Sequence, residues 1–120
     1  MHELSIAEGI VSIVHQHVAE NQIPLVRSVV VKVGCYSGVV ADSLTFSYEA
    51  ITADTPLSGS FLTVEHIPFV ISCGECGKEV INENGFTQCP ACLSFDTKIV
   101  SGRELQVKEI ELEDSPVEEA

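Results

Sequence analysis

The chain has 120 residues, 45% of them hydrophobic, and a formal net charge of −12, which suits one domain, or one small domain carrying a metal-stapled module. No apolar run reaches membrane-spanning length, because Lys32 breaks Val29-Val30-Val31 and the N-terminus carries Glu3 and Glu8 in place of a basic region. No Lys or Arg occurs between Lys32 and Lys78, so a phosphate-neutralising face is lacking and nucleic-acid binding is disfavoured.

Leu4, Ala7, Val11, Val14 and Val18 step by three or four and predict one helical stripe, widened by Ile10 and Ile13. Ser5 and Glu8 have capping-box spacing, with a start one or two residues earlier as the alternative, and the helix should stop by Asn21, before Pro24. From Leu25 to Cys35 the period becomes two. Leu25, Val29, Val31, Val33 and Cys35 share one face and Ser28, Val30 and Lys32 the other. Gly34 and Ser37-Gly38 mark a turn. Asp42-Ser43 opens a second helix to about Ala53, with Leu44, Phe46, Tyr48 and Ile51 as its apolar surface.

Thr55-Pro56 and Ser58-Gly59 then separate that helix from a strand over Phe61–Ile67, with Leu62 and Val64 alternating against Thr63 and Glu65. A last strand runs from Arg103 to Leu112. Its inward residues change phase from Leu105 and Val107 to Ile110 and Leu112, which predicts a bulge or a changed partner face. The expected fold class is α+β, a small two-helix, three-stranded-sheet sandwich with an inserted zinc-ribbon module. Its expected division is residues 1–68 plus 101–120 for the α/β domain with an acidic tail, and 69–100 for the module.

That module holds Cys73-x-x-Cys76 and Cys89-x-x-Cys92 with twelve residues between the pairs. Two such turns facing each other supply a tetrahedral four-sulfur cage, which suits structural Zn²⁺ and leaves no open coordination position. Cys89-Pro90-Ala91-Cys92 also resembles an oxidoreductase turn, but Leu93-Ser94-Phe95-Asp96 is a poor helix start and a second pair would be redundant. Disulfides are disfavoured by the odd fifth cysteine, Cys35, and by the lack of a secretion signal. Cys35 is expected to be a small buried hydrophobe, His15 and His17 surface residues, and His66 a packed one. Six of the eighteen acids follow Lys108 with no base among them, a solvated tail by composition. The acidic balance favours cations or a basic protein partner.

Met1-His2-Glu3 is the second informative feature. The terminal amine, the His2 amide and the His2 imidazole can close adjacent chelate rings, a planar nitrogen set that suits Ni(II) or Cu(II). Alone, that opening is a weak signal. With it, however, come Leu4-Ser5, Val31-Lys32-Val33-Gly34, Tyr48-Glu49-Ala50-Ile51, the two cysteine pairs with Cys89-Pro90, and Ser101-Gly102-Arg103-Glu104-Leu105.

Through these motifs the chain, from Met1 to about Leu112, resembles the HypA/HybF family of nickel metallochaperones for [NiFe]-hydrogenase maturation. The resemblance implies nickel as cargo on the His2 side chain and nearby main-chain nitrogens, with Glu3 tuning or completing that site. It implies structural zinc on Cys73, Cys76, Cys89 and Cys92. It also implies delivery to the hydrogenase large-subunit precursor with a HypB-type GTPase as partner, possible support of urease, and no catalysis. The expected protein is cytoplasmic, a monomer or weak homodimer, free of nucleic acid. Gly77 and Leu93 stand directly after the cysteine pairs, where some family members carry histidine, so a plain four-sulfur site is expected. The competing reading is a zinc-ribbon protein–protein adaptor without carrier activity. A thiol oxidoreductase would need a reactive Cys89.

Overall fold

The computed structural model describes residues 3–81 and 87–113. Helix α1 spans Glu3–His17 and a 3-10 helix spans Glu20–Leu25. Strand β1 (Val26–Gly34), helix α2 (Ala41–Thr52) and strand β2 (Phe61–Ile67) follow. Three short strands come next, β3 (Val70–Cys73), β4 (Glu79–Ile81) and β5 (Thr97–Ser101), and then β6 (Leu105–Leu112). Parallel strands cannot be joined by a hairpin, so α2 serves as the crossover that sets β2 parallel beside β1. On the other side of β1, β6 pairs antiparallel, giving the order β2-β1-β6. A second sheet, ordered β4-β3-β5, carries the cysteine turns.

Period-two burial sends Val29, Val31 and Val33 of β1 and Leu62 of β2 to one side of the first sheet. Ala7, Ile10 and Val14 of α1 and Leu44 and Tyr48 of α2 meet them, and Ile23 and Leu57 join the same core. The buried Tyr48 hydroxyl lies 2.7 Å from Ser60 Oγ, which satisfies both oxygens. Val107 and Ile110 pack on this core from β6. The phase change predicted in the last strand is present: Val31 pairs with Val107 and Val30 with Glu109, so Lys108 is the extra residue of a bulge.

Several sequence expectations need correcting. The first helix stops at His17, before Asn21 as expected, but it begins at Glu3, so Ser5 lies inside it, and a 3-10 helix takes in Pro24. Leu4 is half exposed, and the buried stripe is Ala7, Ile10 and Val14 with Ile6 packed beside it. On α2, Leu44 and Tyr48 are buried but Phe46 is 73% exposed. Cys35 is exposed rather than buried, since β1 ends at Gly34 and the chain turns there, which breaks the strand alternation. His66 is exposed as well, near the end of β2. His15 and His17 lie on the surface, as expected. Asp114, Glu118 and Glu119 of the acidic tail lie outside the described residues, as does Glu83 of the cysteine module.

Candidate metal centre

Each C-x-x-C pair sits in a turn with the same hydrogen-bond plan. In the first, Gly77 N–H donates to the Cys73 carbonyl at 3.0 Å and Cys73 N–H donates to the Lys78 carbonyl at 2.9 Å. In the second, Leu93 N–H donates to the Cys89 carbonyl at 2.8 Å and Cys89 N–H to the Ser94 carbonyl, also at 2.8 Å. The plan requires a left-handed residue directly after the second cysteine. Gly77 meets it at φ +75° and Leu93 at φ +66°. The two turns are therefore equivalent in backbone although their sequences differ. Gly74 N–H donates to the Asp96 carbonyl at 2.7 Å, which ties one turn to the residue just before β5.

This arrangement gathers Cys73, Cys76, Cys89 and Cys92, whose sulfurs all lie within 4.8 Å of one another. Cys73 Sγ is 3.5 Å from Cys92 Sγ, and Cys76 Sγ is 3.7 Å from Cys89 Sγ. A tetrahedron with metal–sulfur bonds of about 2.3 Å has edges of about 3.8 Å, so the four donors are spaced for a single ion. Cys73 and Cys89 are buried, whereas Cys76 and Cys92 are exposed.

The electrostatics favour the same reading. Two N–H groups of its own turn, first Cys76 and then Glu75, lower the Cys73 pKa despite burial. In Cys89, the N–H of Cys92, helped by that of Ala91, outweighs burial and draws the thiol down to about 7. Cys92 goes the other way. Ser94 N–H favours its thiolate, but Cys73, burial, Cys89 and Cys76 together push the thiol up to about 12. A four-thiol cage thus gives up its first proton readily and its last with difficulty, and a divalent cation at the centre removes the repulsion that holds the last one.

The second expected site is only partly in view. His2 lies outside the described residues. Glu3 opens α1, and its carboxylate Oε2 accepts a 3.0 Å hydrogen bond from Val40 N–H, the residue that precedes α2. A carboxylate is favoured there by the unpaired N–H groups and the positive end of the helix dipole. That contact holds the start of α1 against the start of α2. No side-chain pattern in the sequence announces it, because the donor is a main-chain group.

Also unannounced is the crossing of Gly34 and Gly102. Tyr36 N–H donates to the Gly102 carbonyl and Gly34 N–H to the Glu104 carbonyl, both at 2.8 Å. A Cβ on Gly34 would stand 2.1 Å from the Gly102 carbonyl carbon. Gly102 itself has φ +118°, and a Cβ there would meet Phe69 Cα at 2.6 Å. Beside this crossing the Tyr36 and Phe69 rings meet edge to face, 5.0 Å between centroids. The glycines in Val33-Gly34 and Ser101-Gly102 are thus explained by close approach at the junction of the two sheets.

No described helix is long and apolar enough to cross a membrane. A family model described as hydrogenase/urease nickel incorporation, metallochaperone, hypA, matches residues 1–112. The chain is 41% identical over 113 residues to the hydrogenase maturation factor HypA of Geobacter metallireducens, covering 94% of this chain and 100% of that one. It is 40% identical to the HypA of Chloroflexus aurantiacus, covering 92% and 98%. In structure it resembles the Ni metallochaperone HypA from Helicobacter pylori, with a TM-score of 0.64, 20% identity, and coverage of 96% of this chain and 100% of that one. A family match that takes in both the opening helix and the four-cysteine centre leaves one conclusion: this chain belongs to the HypA family of nickel-incorporation metallochaperones, maturation factors rather than enzymes.

Proposed function

We propose that this protein carries Ni(II) to the [NiFe]-hydrogenase large-subunit precursor during maturation, with a HypB-type GTPase as partner and urease as a possible second recipient. One observation carries the division of labour: the four sulfurs form a closed set around one point. A closed tetrahedral cage has no position to exchange, so it suits a resident ion, and cargo needs other donors. We assign the cage to structural Zn²⁺, on the strength of four thiolates at tetrahedral spacing and a d¹⁰ ion without directional preference.

The cargo donors are placed at the chain end, on the His2 side chain and the main-chain nitrogens around His2 and Glu3. Support comes from Glu3, which the Val40 contact fixes at the mouth of the helix pair. A chain end exchanges ligands without unfolding a core, as delivery requires. On this reading residues 1–68 plus 101–120 form the nickel-binding domain and 69–100 the zinc module, working in the cytoplasm. Because Cu(II) outcompetes Ni(II) at nitrogen sites, selectivity rests on docking and metal supply.

The test is a Ni²⁺ titration of untagged, zinc-loaded protein beside His2→Ala. The expected outcome is one nickel per chain in the wild type and none in the variant, with zinc content and melting temperature unchanged. Equal binding in both would overturn the assignment and favour the adaptor reading.

A further inference from the structure

Strand β6 lies at the edge of its sheet, hydrogen-bonded to β1 alone among the described strands. Leu105, Val107, Ile110 and Leu112 stand opposite Val33, Val31, Val29 and Val26, all core residues, so these four share the helix side of the sheet. Gln106, Glu109 and Glu111 stand opposite Lys32, Val30 and Ser28 on the open side. The bulge at Lys108 has a consequence for this pattern. From Leu105 to Leu112 the order of inside and outside reads the same in both directions about the point between Lys108 and Glu109. Without the extra residue, Val107 and Ile110 would fall on opposite faces.

Two further features lie along the same edge. Leu105 and Leu112 are 39% and 41% exposed, at the two ends of the strand. A groove of about 250 Å³ runs between β6 and α1, lined by Ile6, Gly9, Ile10 and Ile13 on the helix and by Leu105, Gln106 and Val107 on the strand. Gly9 weakens the helix, by about 1 kcal/mol relative to Ala, yet among the described residues nothing beyond the helix's own backbone lies within 4 Å of a Cβ built there. Internal packing therefore gives no reason for that glycine, whereas a chain docking against the groove would.

We propose that β6 pairs antiparallel with β6 of a second copy of this chain, about a two-fold axis between Lys108 and Glu109, to make one six-stranded sheet. In this register Leu105 faces Leu112 of the second copy, Val107 faces Ile110, Gln106 faces Glu111, and Lys108 faces Glu109. Every inward residue meets an inward residue, and the strand's one cation meets an anion twice. Shifting the register by one residue either way sets Lys108 against Lys108 or Glu109 against Glu109 and turns Val107 toward an outward residue. A bulge normally blunts an edge strand, but two identical bulges facing each other shorten both strands equally. Leu112 of the second copy then closes the end of the groove at Leu105, beside Gly9.

Sedimentation equilibrium of the metal-loaded full chain across the micromolar range tests this. The wild type should dimerise with concentration. K108E places like charges opposite each other at two points and should weaken the dimer about tenfold, while K108E/E109K restores it. Both variants lose the exposed Lys108–Glu65 bridge equally, so the rescue isolates the contact between copies. A chain that stays monomeric throughout, including one whose edge takes up a different protein, overturns the proposal. So does a dimer indifferent to K108E, or one that the double substitution fails to restore.

Discussion

Gly34 and Gly102 show how a single atom decides the path of this chain. Their backbones touch where the end of β1 crosses the segment leaving the cysteine module, with no room for a methyl group on Gly34 and a left-handed φ on Gly102. Gly34→Ala should lower stability by about 3 kcal/mol through overpacking against backbone that cannot yield, read as a drop in melting temperature. Gly9→Ala is the contrast, since among the described residues nothing beyond the helix's own backbone lies within 4 Å of its Cβ, and α1 should gain about 1 kcal/mol. Leu93 makes the converse point, a leucine in a conformation that favours glycine. Neither Gly77 nor Leu93, directly after the two cysteine pairs, carries a side-chain nitrogen, so zinc-edge absorption should report four sulfurs at pH 6 and at pH 7.5. A nitrogen entering at the lower pH would contradict that expectation.

At the scale of elements, what could be read in the sequence was whatever depends on alternation. The β1 face of Val29, Val31 and Val33 followed from period two, as did the phase slip in β6, which fits either a bulge or a changed partner face until the pairing with β1 shows the bulge. Readings failed where an element ends or turns away. Cys35 kept the parity of β1 but lies one residue past its last paired position. Phe46 is apolar yet points off the core, because only the Leu44/Tyr48 line of α2 reaches the sheet. Of the candidate site, the cysteine cage was legible from spacing. The Val40–Glu3 contact was not, since a main-chain donor leaves no mark on residue identity.

The same scale separates the two sheets energetically. β3, β4 and β5 are three to five residues long, too little sheet to persist without a staple. Removing the metal with a chelator should abolish amide protection in β3 and β5 while β1, β2 and β6 stay protected. Cys73→Ala should reproduce that loss with metal present.

For the whole molecule, charge is the governing quantity. At −12 the chain repels phosphate polyanions at long range, and the two lysines of the cysteine module, Lys78 and Lys98, stand among Glu75, Glu79 and Asp96. Zinc-ribbon folds that bind nucleic acid do so by neutralising phosphates with a basic face and releasing counterions, which makes binding strongest at low salt. Here low salt should do the reverse, because less screening exposes the acidic field. Electrophoretic mobility of a DNA duplex or an RNA hairpin should therefore be unchanged by the metal-loaded protein at about 50 mM salt, where a basic ribbon binds most tightly. The same field attracts a basic protein surface, so association with a cationic partner should slow as salt rises, through the on-rate before the off-rate. A retarded nucleic-acid band at low salt would show that local geometry overrides net charge in this fold.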